Sequence, residues 1–144
     1  MNKIICIIVF FVLLPSQVLA NELLVVSGEN SKNSKKWKKE VLQEYIQSEM
    51  GKKNPAKIVS IEGDKFPKWF MKAMEEERIG QILGTPTFII WDSVNKKELG
   101  RLEGFTQKSK FYTELREALL QISQGLLPGR REGSGGHQPE GSEA

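Results

Sequence analysis

Two hydroxyls three residues apart, Ser31 and Ser34, open a segment with helical spacing, and a Thr85-Pro86 pair precedes a run of branched and aromatic residues. A serine hydroxyl ionises far above neutral pH and becomes a nucleophile only when a neighbouring base takes its proton. The single histidine, His137, stands in a carboxy-terminal stretch rich in Gly, Ser and Glu, which leaves a hydrolytic triad without its base. Zinc needs several Cys, His or carboxylate ligands held together. One histidine and one cysteine, Cys6, give that chemistry no support, and neither a metal nor a cofactor is expected. Lys32, Lys35 and Lys36 flank the same helix start. Free N–H groups there favour anions, so a small-anion binder at this basic helix start is one reading. No glycine-rich phosphate loop accompanies the lysines, and lysines that solubilise a surface are the plainer one.

The elements that must position these groups follow from hydrophobic spacing. Leu23 to Val26 is a short apolar run closed by Ser27-Gly28-Glu29-Asn30, a strand buried on both faces. From Ser31 the period changes. Trp37, Val41, Leu42, Tyr45, Ile46 and Met50 form one stripe of an amphipathic helix that Gly51 is expected to stop. Ala56 to Ile61 reads as a second strand, parallel to the first, since a strand, a helix and a strand make a right-handed crossover unit. Asp64 is placed to cap the next helix, with Pro67 in its first turn and Phe66, Trp69, Phe70, Ala73 and Met74 facing inward. Thr87 to Trp91 and Glu98 to Phe105 form an antiparallel pair, with Gly100 and Gly104 marking bulges or close approach. Phe111, Leu115, Ala118, Leu119 and Ile122 mark a last helix, capped by Thr106 or Ser109 and ended by Gly125 and Pro128.

Residues 1–20 combine Lys3, an apolar run from Ile4 to Leu14, Pro15 and the small-residue end Val18-Leu19-Ala20, which together read as a secretory signal peptide. The run is about half the roughly 20 residues that span a bilayer. No stable membrane anchor is expected after cleavage, and the location is periplasmic or secreted. Because Cys6 lies inside this leader, the exported remainder has no cysteine and must be held by packing alone. Residues 21–127 suffice for one domain, and residues 128–144 hold too little apolar surface to stay ordered. The formal charge of +3 is too small to argue for nucleic acid as a partner. Trp69 and Trp91 fall on apolar stripes and are assigned to the core, whereas Trp37 is assigned to either core or binding pocket.

The order of elements resembles a minimal thioredoxin-like α/β fold, a four-stranded mixed sheet flanked by helices. The stretch Gly84-Thr85-Pro86-Thr87-Phe88-Ile89-Ile90-Trp91-Asp92, followed by Glu98-Leu99-Gly100-Arg101-Leu102-Glu103-Gly104-Phe105, is similar to the exported SoxS-type thioredoxins of sulfur-oxidation systems. The resemblance implies a cis bond at Thr85-Pro86 facing the start of the first helix. It also implies that Ser31-Lys32-Asn33-Ser34 stands where the family carries its Cys-x-x-Cys dithiol, closely followed by a tryptophan, here Trp37. Disulfide exchange runs through a thiolate, which serine does not supply. Ser31 is expected instead to cap the helix, a contribution of about 1 kcal/mol, and Ser34 to face Ser31 or the Thr-Pro turn as a neutral hydroxyl. The function so implied is an exported polypeptide-binding or regulatory module without a redox dithiol. Its binding residues would be Ser31, Ser34, Trp37, Thr85 and Pro86, and its partner an extended segment of an exported protein that pairs with the backbone at Thr85. The alternative is a thiol-disulfide oxidoreductase whose cysteines are replaced by serine in this sequence.

Overall fold

The computed structural model describes residues 21–63 and 65–126. The leader, the tail, Pro128 and the Asp64 cap therefore lie outside the described residues. Strand β1 (Asn21–Gly28) sits inside the sheet, paired in parallel with β2 (Ala56–Ile61) and antiparallel with β3 (Thr87–Asp92), while β4 (Lys97–Glu103) closes the order β2-β1-β3-β4. Alternation along β1 sends Leu23 and Val25 to one face and Leu24 and Val26 to the other, so both faces carry a core. The first face packs Trp37, Val41, Tyr45, Phe111 and Leu115 against the sheet. The second packs Phe70, Ala73 and Ile79. All of β3 is buried, whereas β2 is an edge whose Ile58 stays exposed in spite of its apolar sequence.

The first helical stretch departs from the single helix expected. It runs as α1 (Lys32–Trp37), one π turn (Lys38–Leu42), α2 (Gln43–Gln47) and α3 (Glu49–Lys53). Trp37, Val41 and Tyr45 are all fully buried at spacings of four. On a 3.6-residue helix each such step overshoots a full turn by about 40°, and the wider π turn takes up that drift and keeps the three on one line. Ile46, off that line, is exposed.

The stretch is broken at Ser48, not stopped at Gly51. The Ser48 backbone swings to ψ 156°, its Oγ donates to Tyr45 O (2.6 Å) and accepts from the Gly51 N–H (3.0 Å), and α3 starts in a new direction. Gly51 is buried inside α3, and a Cβ there would lie 1.8 Å from Tyr45 O. Its lack of a side chain lets α3 fold back onto α2.

Two further expectations, both of helix caps, are corrected, and the bulge expected near Gly100 is present. Helix α4 (Lys68–Glu75) begins after Pro67, which holds the cap position itself and offers its carbonyl to the Phe70 and Met71 N–H groups. Helix α5 (Lys108–Ser123) is preceded by Gln107 and has no side-chain cap from Thr106 or Ser109; it ends at Gly125, which turns to φ +71°. The β3–β4 register slips beside Ile90 and Trp91, so the bulge falls at Leu99, next to Gly100. Asp92 anchors the connecting loop, its carboxylate accepting from the Val94 and Asn95 N–H groups and from the Asn95 side chain.

Two outcomes follow from these contacts. Gly51→Ala pushes a methyl into backbone that cannot yield, and should cost at least the ~1–3 kcal/mol typical of overpacking in urea denaturation. The Asn95 backbone and side-chain hydrogen bonds, with that of Val94, hold the Asp92 carboxyl below the usual carboxylate range. Its contribution to stability is therefore complete above the ordinary value of about 3.9 and is lost as pH falls through the lowered one. Asp92→Ala should flatten the acid limb of a stability-versus-pH curve without steepening it.

Candidate functional site

The carboxy-terminal end of β1, the start of α1 and the turn before β3 meet at one point. The Ser31 N–H donates to Gly28 O at 3.2 Å, which turns the chain off the strand and into the helix. Ser31 then accepts the Ser34 N–H on its Oγ (3.2 Å) and donates that hydroxyl to Thr85 O (3.0 Å). One oxygen thus caps the helix and ties it to a turn 54 residues away. Gly28 permits this closeness, because a Cβ there would stand 3.0 Å from Thr85 Oγ1 and 3.6 Å from Ser31 Cβ.

The Thr85-Pro86 bond is cis. Thr87 Oγ1 donates to Gly84 O (2.7 Å) and the Gly104 N–H donates to Pro86 O (2.8 Å), so the turn is held from both sides. Thr85 is half-buried, and among the described residues no group accepts its N–H. Beside it lies a groove of about 270 Å³ walled by Ile61, Phe66, Ile82, Leu83 and Gly84, with Leu83 76% exposed.

Ser31, Ser34, Thr85 and Pro86 are brought together here, but they do not all reach the surface. Ser34 is buried and its Oγ has no partner, and Pro86 is buried beneath the turn. Trp37 is 0% exposed, with its ring against Phe88 (5.2 Å) and Phe111 (5.8 Å), so it supports the site from within and is no surface contact. Spacing alone could not settle that, since the first buried turn of a helix and a pocket wall share one face. Ile82, Leu83 and Phe66 were missed as site residues. Two apolar residues between Gly80 and Gly84, where no element is expected, were the available signal.

The basic residues divide. Lys36 Nζ donates to Thr106 O (2.8 Å) and lies over the Phe105 ring, while Lys32 and Lys35 are exposed. The Ser34 N–H that an anion would use is already taken by Ser31. Among the described residues no three His, Cys, Asp or Glu side chains gather where they could hold a metal.

No protein-family model matches the chain, and no curated protein does. Among solved structures it is similar to the reduced form of the periplasmic thioredoxin SoxS from Paracoccus pantotrophus, with 21% identity and a TM-score of 0.57 over 71% of this chain and 98% of that one. A thioredoxin from Thermus thermophilus, solved in solution, shares 20% identity with a TM-score of 0.49, over 70% of this chain and 75% of that one. The first likeness spans nearly all of the neighbour and establishes a thioredoxin-like fold, the four-stranded mixed sheet flanked by helices that the sequence implies.

The two serines should separate on substitution. Ser31→Ala removes both a helix cap and the bond to Thr85 and should cost about 1–2 kcal/mol. Ser34→Ala removes a buried hydroxyl with no partner and should be neutral or stabilising. Urea denaturation of both variants checks this, and an equal loss at Ser34 would contradict the geometry.

Proposed function

We propose that this protein is an exported binding module of thioredoxin-like fold that lacks a redox dithiol and holds an extended polypeptide segment of an exported partner at the Thr85 turn. The observation that carries the reading is the half-buried Thr85 backbone. Its N–H has no acceptor among the described residues, and its carbonyl spends one lone pair on Ser31. An extended chain passing this residue can accept that N–H and donate to the second lone pair, which is strand addition and needs no sulfur. The adjoining groove of Phe66, Ile82 and Leu83 would take an apolar side chain of the same segment. Export rests on the leader-like residues 1–20, and the periplasmic location of the SoxS neighbour supports it.

Composition supports redox inactivity, because the only cysteine is Cys6 and neither Ser31 nor Ser34 can attack a disulfide as a thiolate. A second reading keeps the exchange machinery and exchanges only its atoms. It is favoured by the placement of Ser31 Oγ against Thr85 O and of Ser34 beneath it, an unpartnered hydroxyl where a thiol would be at home.

Three measurements decide between them. The protein as it stands should reduce insulin disulfides at background rate, and turnover would remove the proposal. A captured partner should slow hydrogen exchange at the Thr85 amide and be lost on Pro86→Ala; protection elsewhere would move the site. The double variant Ser31→Cys/Ser34→Cys should stay near background, whereas rapid insulin reduction by it would favour the second reading.

A further inference from the structure

At the opposite end of the sheet lies a second concavity that the Thr85 turn does not use. β1 runs from Glu22, paired with Trp91, to Gly28 beside Thr85, and at about 3.3 Å per residue the two regions stand about 20 Å apart. The cleft, of about 370 Å³, opens between α4 and the sheet. Two indoles wall it. Trp91 rises from β3 and is nearly buried, whereas Trp69, on α4, is 40% exposed in spite of its place in an apolar pattern. Its exposure follows from topology: β2 is the edge of the sheet, so no further strand covers that flank of α4.

Four cations line the same cleft, Lys57, Lys72, Arg78 and Lys96, against two carboxylates, Glu22 and Glu76. Glu76 is already committed, bonded to Arg78 (2.6 Å) and facing Lys72 (3.8 Å). Arg78 is fixed as a wall, donating also to Lys96 O (3.1 Å) and lying 6.0 Å from the Trp91 ring centre. Lys57 and Lys96 have no carboxylate partner among the described residues. The Lys57 ammonium rests over the Trp69 ring at 4.7 Å, a weaker contact than a charge-assisted hydrogen bond.

We propose that this cleft is a binding site for a small ring-bearing oxyanion, a cyclic or aromatic phosphate or carboxylate, held by Lys57 and Lys96 with its ring against Trp69. The oxyanion draws the Lys57 ammonium off the indole face, and the ligand ring takes the uncovered face. Charge alone would hold inorganic phosphate equally well; the exposed indole inside the basic cleft selects for a ring. Nothing here depends on the Thr85 site.

The test uses the whole protein labelled with ¹⁵N at its three indole nitrogens, titrated with phenyl phosphate, inorganic phosphate and benzyl alcohol. Phenyl phosphate should move the Trp69 and Trp91 signals saturably and leave Trp37 still, and inorganic phosphate should bind more weakly. Benzyl alcohol should move none of the three. Lys57→Gln and Lys96→Gln, both on the surface, should each weaken phenyl phosphate about tenfold, as the loss of one charge-assisted hydrogen bond does, and Trp69→Leu should bring it to the level of inorganic phosphate. The proposal is overturned by no saturable shift, by affinity unchanged in the lysine variants, or by equal binding of the two phosphates. It is overturned too if vesicles of phosphatidylglycerol shift Trp69 where phenyl phosphate does not, which would assign the patch to a membrane surface.

Discussion

A single hydroxyl ties the start of the first helix to the turn before β3. Ser31 Oγ accepts from the Ser34 N–H and donates to Thr85 O, so the same atom begins the first helix and fixes the turn that begins β3. The helix start has orphan donors, one of which this oxygen satisfies, and the turn leads into a strand buried along its whole length. Bonding them through a side chain requires the backbones to approach closely. Gly28 supplies the room, and Gly104 and Thr87 hold the far side of the turn. A thiol at position 31 would make a weaker and longer bond to the same carbonyl. Serine therefore serves this architecture as a fastener, independent of any reaction.

That dual role explains why the turn keeps its shape without sulfur. The geometry that presents the Thr85 backbone is set by Pro86, Gly28, Thr87 and Gly104, none of which carries redox chemistry. Behind them lies the aromatic stack of Trp37, Phe88, Phe111 and Tyr45, with centroids 4.8 to 6.2 Å apart, which fixes α1 on the sheet. Aromatic side chains bring large buried areas and tilted or edge-to-face contacts. With no cysteine among residues 21–126, this packing holds the domain without help from a disulfide.

The element order and the β1–β2 and β3–β4 pairings were legible in the sequence, because each follows from apolar period or from loop length, whereas the meeting of Ser31 with the Thr85 turn was legible only through the resemblance to thioredoxins. What escaped depended on contacts between distant residues. The break at Ser48 is invisible to periodicity, since Tyr45 and Met50 keep their spacing while the axis turns between them. Gly51 has the composition of a stop signal, and only its closeness to Tyr45 O shows that it is a packing glycine. Trp69 was placed inside because apolar residues on a stripe belong there when the sheet continues. Whether a strand is an edge is a property of topology, which the strand's own residues do not state. Trp37 was open between core and pocket, the pocket reading resting on its family position, and its full burial places it in the core.

The same edge explains why the two candidate sites differ in kind. Near Thr85 the walls are apolar and the polar groups belong to the backbone, so that surface carries little charge. Near Trp69 the cleft is lined by two indoles and by charged side chains, most of them cationic. Lysines on an edge strand normally guard it against pairing with other chains, and Lys57 can do so on β2. An indole drawn under that lysine gains nothing for edge protection, which is why the pairing of Lys57 with Trp69, more than the number of positive charges, distinguishes a site from a solvated face.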